Sequence, residues 1–358
     1  MTTVVHFIGS LDRGGAEMVA LEVCRTVPSS EFSQVFFCLS GRRGTLGDDF
    51  EAAGATVVAM GLRPALTFVP RLVRALRSFA PSVVVSHVSL ASGWILCVCK
   101  LLGIKVRLAR MHSDGDDHGN APARGMYRSV SRLMLALSAT HIVGVTQSSL
   151  SFAVGRNSVL YRLLGRKRLV VPNGVDTFKF RPEAKETGSL PDQVLYVGRA
   201  SPEKNRRLLM PIWKELAARG FSGTMSIVGS NETGDLGDEI PSTIRILGDR
   251  SDVDELLRGS VILILTSLRE GLPTVVLEAL ASGVPVVSSD LPGLREIQGS
   301  CPGVTTVPVG APPAEWATAI VEAVNAGATY RVAVREGFLK SPYSLDESIR
   351  AWGKLWRS

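Results

Sequence analysis

A chain of 358 residues with 45% hydrophobic and 20% charged side chains, 35 Gly and 19 Pro is long enough for about two domains and too apolar to be dominated by disorder. Its net charge of +7 is uneven: residues 1–180 carry 21 basic and 11 acidic side chains, residues 181–358 carry 19 and 22. The basic half would attract an anionic acceptor or an anionic lipid surface; with no stacking module and no zinc-finger spacing, nucleic acid is not an expected partner.

The first segment, "MTTVVHFIGS", has neither a basic leader nor an uninterrupted apolar run, so the chain is not expected to be secreted. It reads as a strand over Val4 to Ile8, followed by the turn "GSLDRGGAE" and a helix over Ala16 to Arg25. Strand-like runs recur at "QVFFCL", "TVVAM", "SVVVSH", "KVRLARMH" and "THIVGVT", with helix-like "LTFVPRLVRALRSFA" and "ARGMYRSVSRLMLALSA" among them. The apolar stretch from Val83 to Ile104 is interrupted by Ser86, His87 and Lys100, which suits a buried strand and helix better than a membrane span. Cys97 and Cys99, separated by Val98, lack redox or zinc spacing, so the five cysteines read as reduced core residues of a cytoplasmic protein.

"RLVVPNGVDTFKFRPEAKETGSLPD", rich in Pro, Gly and charge, is the natural junction. The expected organisation is residues 1–176, residues 177–340 and a C-terminal helix over 341–358 that packs back across the junction. Beyond the junction the pattern restarts with "QVLYVGR", "TMSIVGS", "TIRILG", "VILILTS" and "VPVVSS". Short apolar strands alternating with helices predict two doubly wound α/β domains, each binding ligands at the carboxyl ends of its strands. Trp352 and Trp356, at i,i+4 on the last helix, are expected to pack on the body of the protein.

Several polar residues fall at those strand ends. Gly14 and Gly15 allow backbone amides to approach an anion, although the turn does not fit GxGxxG. Arg199 and Lys204, on one loop after "YVG", are placed to clamp a diphosphate. His112 follows "KVRLARM" and suits a donor, acceptor or base. The nearby "DGDDH" reads as a solvated turn rather than a metal site. In "TSLREGLPTVVLEALASG", Pro273 suits the first helical position, leaving the amides of Thr274 and Val275 for an anion. Glu270 and Glu278, eight positions apart and about 12 Å along an ideal helix, are too remote to share one proton. They suit two handholds on one extended ligand, because carboxylates accept paired hydrogen bonds from vicinal hydroxyls.

With "GGAE", His112 after a strand, "VVPNGVD", "VGRASPEKN", "IVG" and the Glu270–Glu278 motif all in place, the chain resembles the family-four retaining glycosyltransferases with the GT-B fold. The resemblance implies two Rossmann-like domains separated by a cleft, and a nucleoside-diphosphate sugar, with UDP favoured, held mainly by the second. Arg199 and Lys204 would neutralise the diphosphate, Glu278 would hold the ribose, and Glu270 would contact the donor sugar. Backbone amides of Thr274 and Val275, and those near Gly14 and Gly15, would complete the phosphate cradle, and Leu272 would also bind the donor. Gly248 and Arg250 would shape the base pocket, and His112 would reach the reaction centre from the opposite domain. No cofactor and no divalent metal are implied.

The hydroxyl-bearing acceptor is less determined: a lipid-linked glycan, a polysaccharide precursor or a small natural product. Arg124, Arg128 and Arg132 share one helical face and suggest peripheral contact with the inner face of an anionic membrane, with a solvated face as the simpler reading. The competing functions are a nucleotide-sugar epimerase or isomerase of related architecture and a nonenzymatic nucleotide-sugar-binding protein. Nothing in the sequence specifies an oligomeric state.

Overall fold

In the computed structural model, residues 1–115, 122–155, 158–182, 193–237 and 239–358 are described. The chain divides into two compact units, Met1–Asn173 with Leu345–Ser358, and Gly174–Ser344.

The first unit is built on a seven-stranded sheet: β1 (Thr2–Ile8), β2 (Phe32–Cys38), β3 (Thr56–Ala59), β4 (Val83–Ser86), β5 (Val106–Met111), β6 (His141–Gly144) and β7 (Lys167–Val170). Its order is β3-β2-β1-β4-β5-β6-β7, and every pairing is parallel. Alternation along β1 sorts the core. Val5 and Phe7 join a cluster with Leu72, Leu96 and Leu135 from helices on one face. Val4 joins Val23, Trp352 and Trp356 on the other. The Leu345–Trp356 helix thus packs in the first unit, with both tryptophans almost fully buried.

The second unit carries a six-stranded sheet: β8 (Gln193–Gly198), β9 (Thr224–Gly229), β10 (Ile244–Gly248), β11 (Ile262–Leu265), β12 (Val286–Ser289) and β13 (Val304–Val307). Its order is β10-β9-β8-β11-β12-β13, again all parallel. The strand order reverses between β8 and β11. Loops leaving these two neighbours depart in opposite directions, and a crevice at the carboxyl edge is the geometric result.

β7 and β13 were absent from the sequence-based elements. Both lie at sheet edges, where a strand need not be apolar on both faces, and β7 reads Lys-Arg-Leu-Val.

Candidate functional site

The reversal between β8 and β11 is where Lys204 and Glu270 of the second unit meet, whereas Gly248 ends β10 and Arg250 follows it, at the edge of the sheet. After β8 the chain runs through Arg199 into a single turn of 3₁₀ helix, Pro202–Lys204, and then Asn205 at φ +49°. Asn tolerates this left-handed conformation better than most side chains do. Its Nδ2 donates to the carbonyl of Thr266 at 3.2 Å, while Thr266 Oγ1 donates to the carbonyls of Lys204 and Asn205 at 3.2 and 3.1 Å. The amide of Leu268 donates to the carbonyl of Glu203 at 2.7 Å. Four hydrogen bonds thereby sew the loop after β8 to the loop after β11.

The charged groups on these loops are paired. Lys204 Nζ lies 2.6 Å from Glu270 Oε1, which also accepts from Ser267 Oγ at 2.6 Å. The Lys204 and Glu270 side chains are only 20% and 10% exposed, so this ion pair is shielded from solvent. Arg199 is 72% exposed and 3.7 Å from Glu203. The two cations expected to act as one clamp are therefore unlike: Lys204 is fixed against a carboxylate, while Arg199 projects into solvent.

The helix after the "EGLP" turn spans Thr274–Ala281, and Pro273 is its N-cap (φ −69°, ψ 113°), one position earlier than the sequence reading placed it. Pro273 offers no side-chain cap, so the amides of Thr274 and Val275 keep the anion-binding character of a helix start. Leu272 is buried. The turn is backed by Gly293 on the Pro292–Gln298 helix: a Cβ there would overlap the carbonyl oxygen of Gly271. Glu278 lies on the second turn. Burial pushes its carboxyl up to about 7, Lys179 draws it down, and Asp254 adds to the rise. A carboxyl in that state is prepared to take a hydrogen-bonding partner.

Gly248 ends β10 at φ +64°, with Asn231 against it, so any side chain there would meet both backbone strain and the Asn231 amide. Arg250 is exposed and forms a forked pair with Asp252.

The remaining predicted residues are in the first unit. Gly14 is the extended N-cap of the Gly15–Thr26 helix and carries no side-chain cap. The turn before it is anchored by backbone bonds between Leu11 and both Arg43 and Leu46, and by the amide of Thr45 on Asp12 at 3.2 Å. His112 is at the end of β5, its Nε2 2.9 Å from His87 Nδ1, and burial holds its pKa down to about 3. Asp116, Asp117 and His118 of "DGDDH" lie outside the described residues. Among the described residues no group of three His, Cys, Asp or Glu is arranged to hold a metal ion.

Two features escaped the sequence reading. Arg110, 1% exposed, donates to the carbonyl of Val171 at 2.8 Å and to Asn173 Oδ1 at 2.9 Å, and stacks on Trp352. The Asn of "PNG" is therefore a ligand to a buried cation, a pairing invisible before the fold brings residues 110 and 173 together. His6 and His87 line up with His112, as described below.

The expected basic face of the Pro122–Ser138 helix is not its solvent face. Arg132 donates twice to the carbonyl of Phe152, Arg124 stacks on Tyr127, and Arg128 is half-buried. Met126, Val130, Leu133 and Leu137 are exposed instead, with Met126 at 70%. Their i, i+4, i+7, i+11 spacing makes one stripe. At its end Lys100 and Arg166 donate to the carbonyl of Leu137. Among the described residues no helix is long and apolar enough to cross a membrane.

Residues 14–174 match the family described as "Glycosyl transferase 4-like domain", and residues 191–326 match "Glycosyl transferases group 1". The putative glycosyltransferase EpsF of Bacillus subtilis (strain 168) is 25% identical over 97% of this chain and 94% of that protein. The capsular polysaccharide biosynthesis glycosyltransferase CapH of Staphylococcus aureus is 24% identical over 83% of this chain and 84% of its own. Among solved structures, Anabaena Alr3699/HepE in complex with UDP-glucose superposes with a TM-score of 0.76 at 17% identity, covering 99% of both chains.

Proposed function

Because the chain belongs to the family-four glycosyltransferases and has the GT-B fold, we propose that it transfers a hexose from a UDP-sugar, with retention of anomeric configuration, to a hydroxyl of a polysaccharide precursor. The observation that carries the reading is the shielded Lys204–Glu270 pair at the strand-order reversal, beside the uncapped start of the Thr274–Ala281 helix. A cation, a carboxylate and free backbone amides converge there, which is what a sugar diphosphate requires. Support for a UDP-sugar comes from the UDP and UDP-glucose complexes of Alr3699/HepE, and support for the acceptor from CapH.

In this reading the cations and amides counter the charge that accumulates on the departing diphosphate. Lys204, with Arg199 folding inward from solvent, faces the phosphates, as do the amides of Thr274 and Val275. The anomeric carbon becomes oxocarbenium-like as the bond to phosphate breaks. Glu270 takes the sugar hydroxyls, and its bonds to Lys204 and Ser267 fix its orientation. Glu278 takes the ribose hydroxyls, Gly248 and Arg250 border the base, Leu272 positions the turn, Gly14 and Gly15 add amides, and His112 bonds the transferred sugar. With protein cations opposing the diphosphate, no divalent metal is assigned.

The exposed Met126–Leu137 stripe, rimmed by Lys100 and Arg166, supports peripheral contact with an anionic membrane by apolar insertion rather than by an arginine face.

A panel of UDP-sugars and hydroxyl acceptors, with product NMR and parallel reactions in EDTA, tests the proposal. An α-linked product from an α-linked donor, formed equally in EDTA, is expected. Inversion would reject retention, loss in EDTA restored by a divalent ion would reject metal independence, and epimerised sugar without transfer would replace the whole reading.

A further inference from the structure

Three histidines from widely separated parts of the sequence form one hydrogen-bonded row in the first unit. His6 is on β1, His87 follows β4, and His112 follows β5, and these three strands are consecutive neighbours in the sheet. His6 Nδ1 lies 3.2 Å from His87 Nε2, and His87 Nδ1 lies 2.9 Å from His112 Nε2. The rings are nearly parallel, at 24° and 21°, and His6 continues the row onto Phe36 of β2.

A neutral imidazole has one N–H and one lone pair, so each link needs a donor facing an acceptor. A neutral row therefore has only two self-consistent states. Either every ring carries its proton on Nδ1, or every ring carries it on Nε2. The two terminal nitrogens, His6 Nε2 and His112 Nδ1, must be opposite in character. Both are buried and without a hydrogen-bond partner among the described residues.

The surroundings of His6 select between the states. Trp356 is edge-on to His6, and its Nε1–H, which can only donate, is also buried without a partner. Both line a cavity of about 20 Å³, enough for one bridging water. The rest of its wall is apolar, from Ala16, Val19, Ala20 and Val23, apart from the row itself, the Trp352 indole, which like Trp356 can only donate, and Arg110, whose Nη1 and Nη2 donate to Val171 and Asn173. The unsatisfied donor is thus at the His6 end, and an acceptor there is complementary, whereas an Nε2–H would add a second donor to a wall short of acceptors.

We infer that His6 and His87 are positioning residues that hold all three imidazoles in the Nδ1–H form, so that His112 presents a fixed N–H donor from Nδ1. Resting on the glycosyl-transfer reading, this donor bonds a hydroxyl or ring oxygen of the transferred sugar. Burial keeps the row neutral, and the Arg110 charge opposes protonation of His87 and His112.

The test is long-range ¹H–¹⁵N correlation on the full chain labelled at histidine, with resonances assigned by His6→Phe, His87→Phe and His112→Asn. Protonated Nδ1 and bare Nε2 are expected at all three positions in the wild type. In His6→Phe and His87→Phe, His112 should lose its single tautomer. A wild-type His87 or His112 protonated at Nε2, or a His112 tautomer unchanged in both Phe variants, would overturn the inference. The wild-type spectrum decides even if a variant fails to fold. In transfer assays His87→Phe should lower kcat about tenfold with little change in KM. The spectra need no turnover, so a chain that transfers no sugar would defeat the glycosyl-transfer reading while leaving the row's polarity tested on its own.

Discussion

Lys204 and Glu270 are 66 positions apart in sequence and 2.6 Å apart in space, joined across the two strands at which the second sheet reverses its order. Each group holds the other in place, so removing one disturbs both. Lys204→Ala and Glu270→Ala are each expected to lower kcat/KM by ~10²–10³. The double variant should lose far less than the product of the two, because partners acting as a unit are not additive. Steady-state kinetics on all four proteins, with circular dichroism as a folding check, gives the answer; full additivity would mean that the pair does not function as a unit.

Glu278 makes stability and binding depend on pH in opposite ways. Its folded pKa of about 7 lies above the ordinary 4.5, so its contribution to stability is fully present below pH 4.5 and is lost as pH rises through 7. The full shift corresponds to ~3 kcal/mol. Glu278→Gln should therefore raise Tm by roughly 5 °C at pH 8 and leave it nearly unchanged at pH 4.5. Ribose hydroxyls would bind the ionised carboxylate. UDP binding at pH 7 should then release about half a proton, seen by calorimetry in buffers of different ionisation enthalpy, and the variant should release none.

Gly293 is assigned no ligand contact of its own, yet it sets how closely the Pro292–Gln298 helix approaches the "EGLP" turn that carries Glu270. Gly293→Ala forces a methyl group against the Gly271 carbonyl, at a cost of about 1–3 kcal/mol. Donor KM should rise about tenfold while acceptor KM stays constant. Equal donor KM in variant and wild type would show that the turn tolerates the shift.

Much of this site was legible because it is local. The run from Val261 through Ala281 announces a strand, a turn and a helix in order, and the structure has β11, the "EGLP" turn and the Thr274–Ala281 helix. The Lys204–Glu270 pairing was not legible, since it needs the knowledge that β8 and β11 are neighbours. Single histidines on apolar strands look like satisfied core residues until sheet order sets His6, His87 and His112 side by side. Helical spacing correctly put Arg124, Arg128 and Arg132 on one face, but periodicity alone does not say which face meets water. On the Pro122–Ser138 helix Arg132 is drawn to the carbonyl of Phe152 and Arg124 lies over the ring of Tyr127 on the same helix, and all three arginines are half-buried.

Membrane contact through that helix should follow its apolar stripe. Met126→Asp combined with Leu133→Asp is expected to abolish sedimentation with phosphatidylglycerol vesicles, each change removing roughly 1–2 kcal/mol of apolar burial. Arg124→Gln with Arg128→Gln should change sedimentation much less. Turnover of a water-soluble acceptor should be unaffected by the Asp pair. Retention of vesicle binding by the Asp pair would exclude this face.

The Leu345–Trp356 helix gives the chain an unusual logic of assembly. Its tryptophans complete a core begun by β1, and Arg357 pairs with Glu31 at 2.6 Å, so the last residues are needed by the first. Gly174–Ser344 is in effect an insertion within another fold, with its ends brought together by a bridge between Val175 and Ser344. A growing polypeptide must therefore finish the inserted body before the opening strands receive their last covering helix. Removing Leu345–Ser358 would leave Gly174–Ser344 with all of its own strands and helices, and would strip Met1–Asn173 of the helix that covers one face of its sheet.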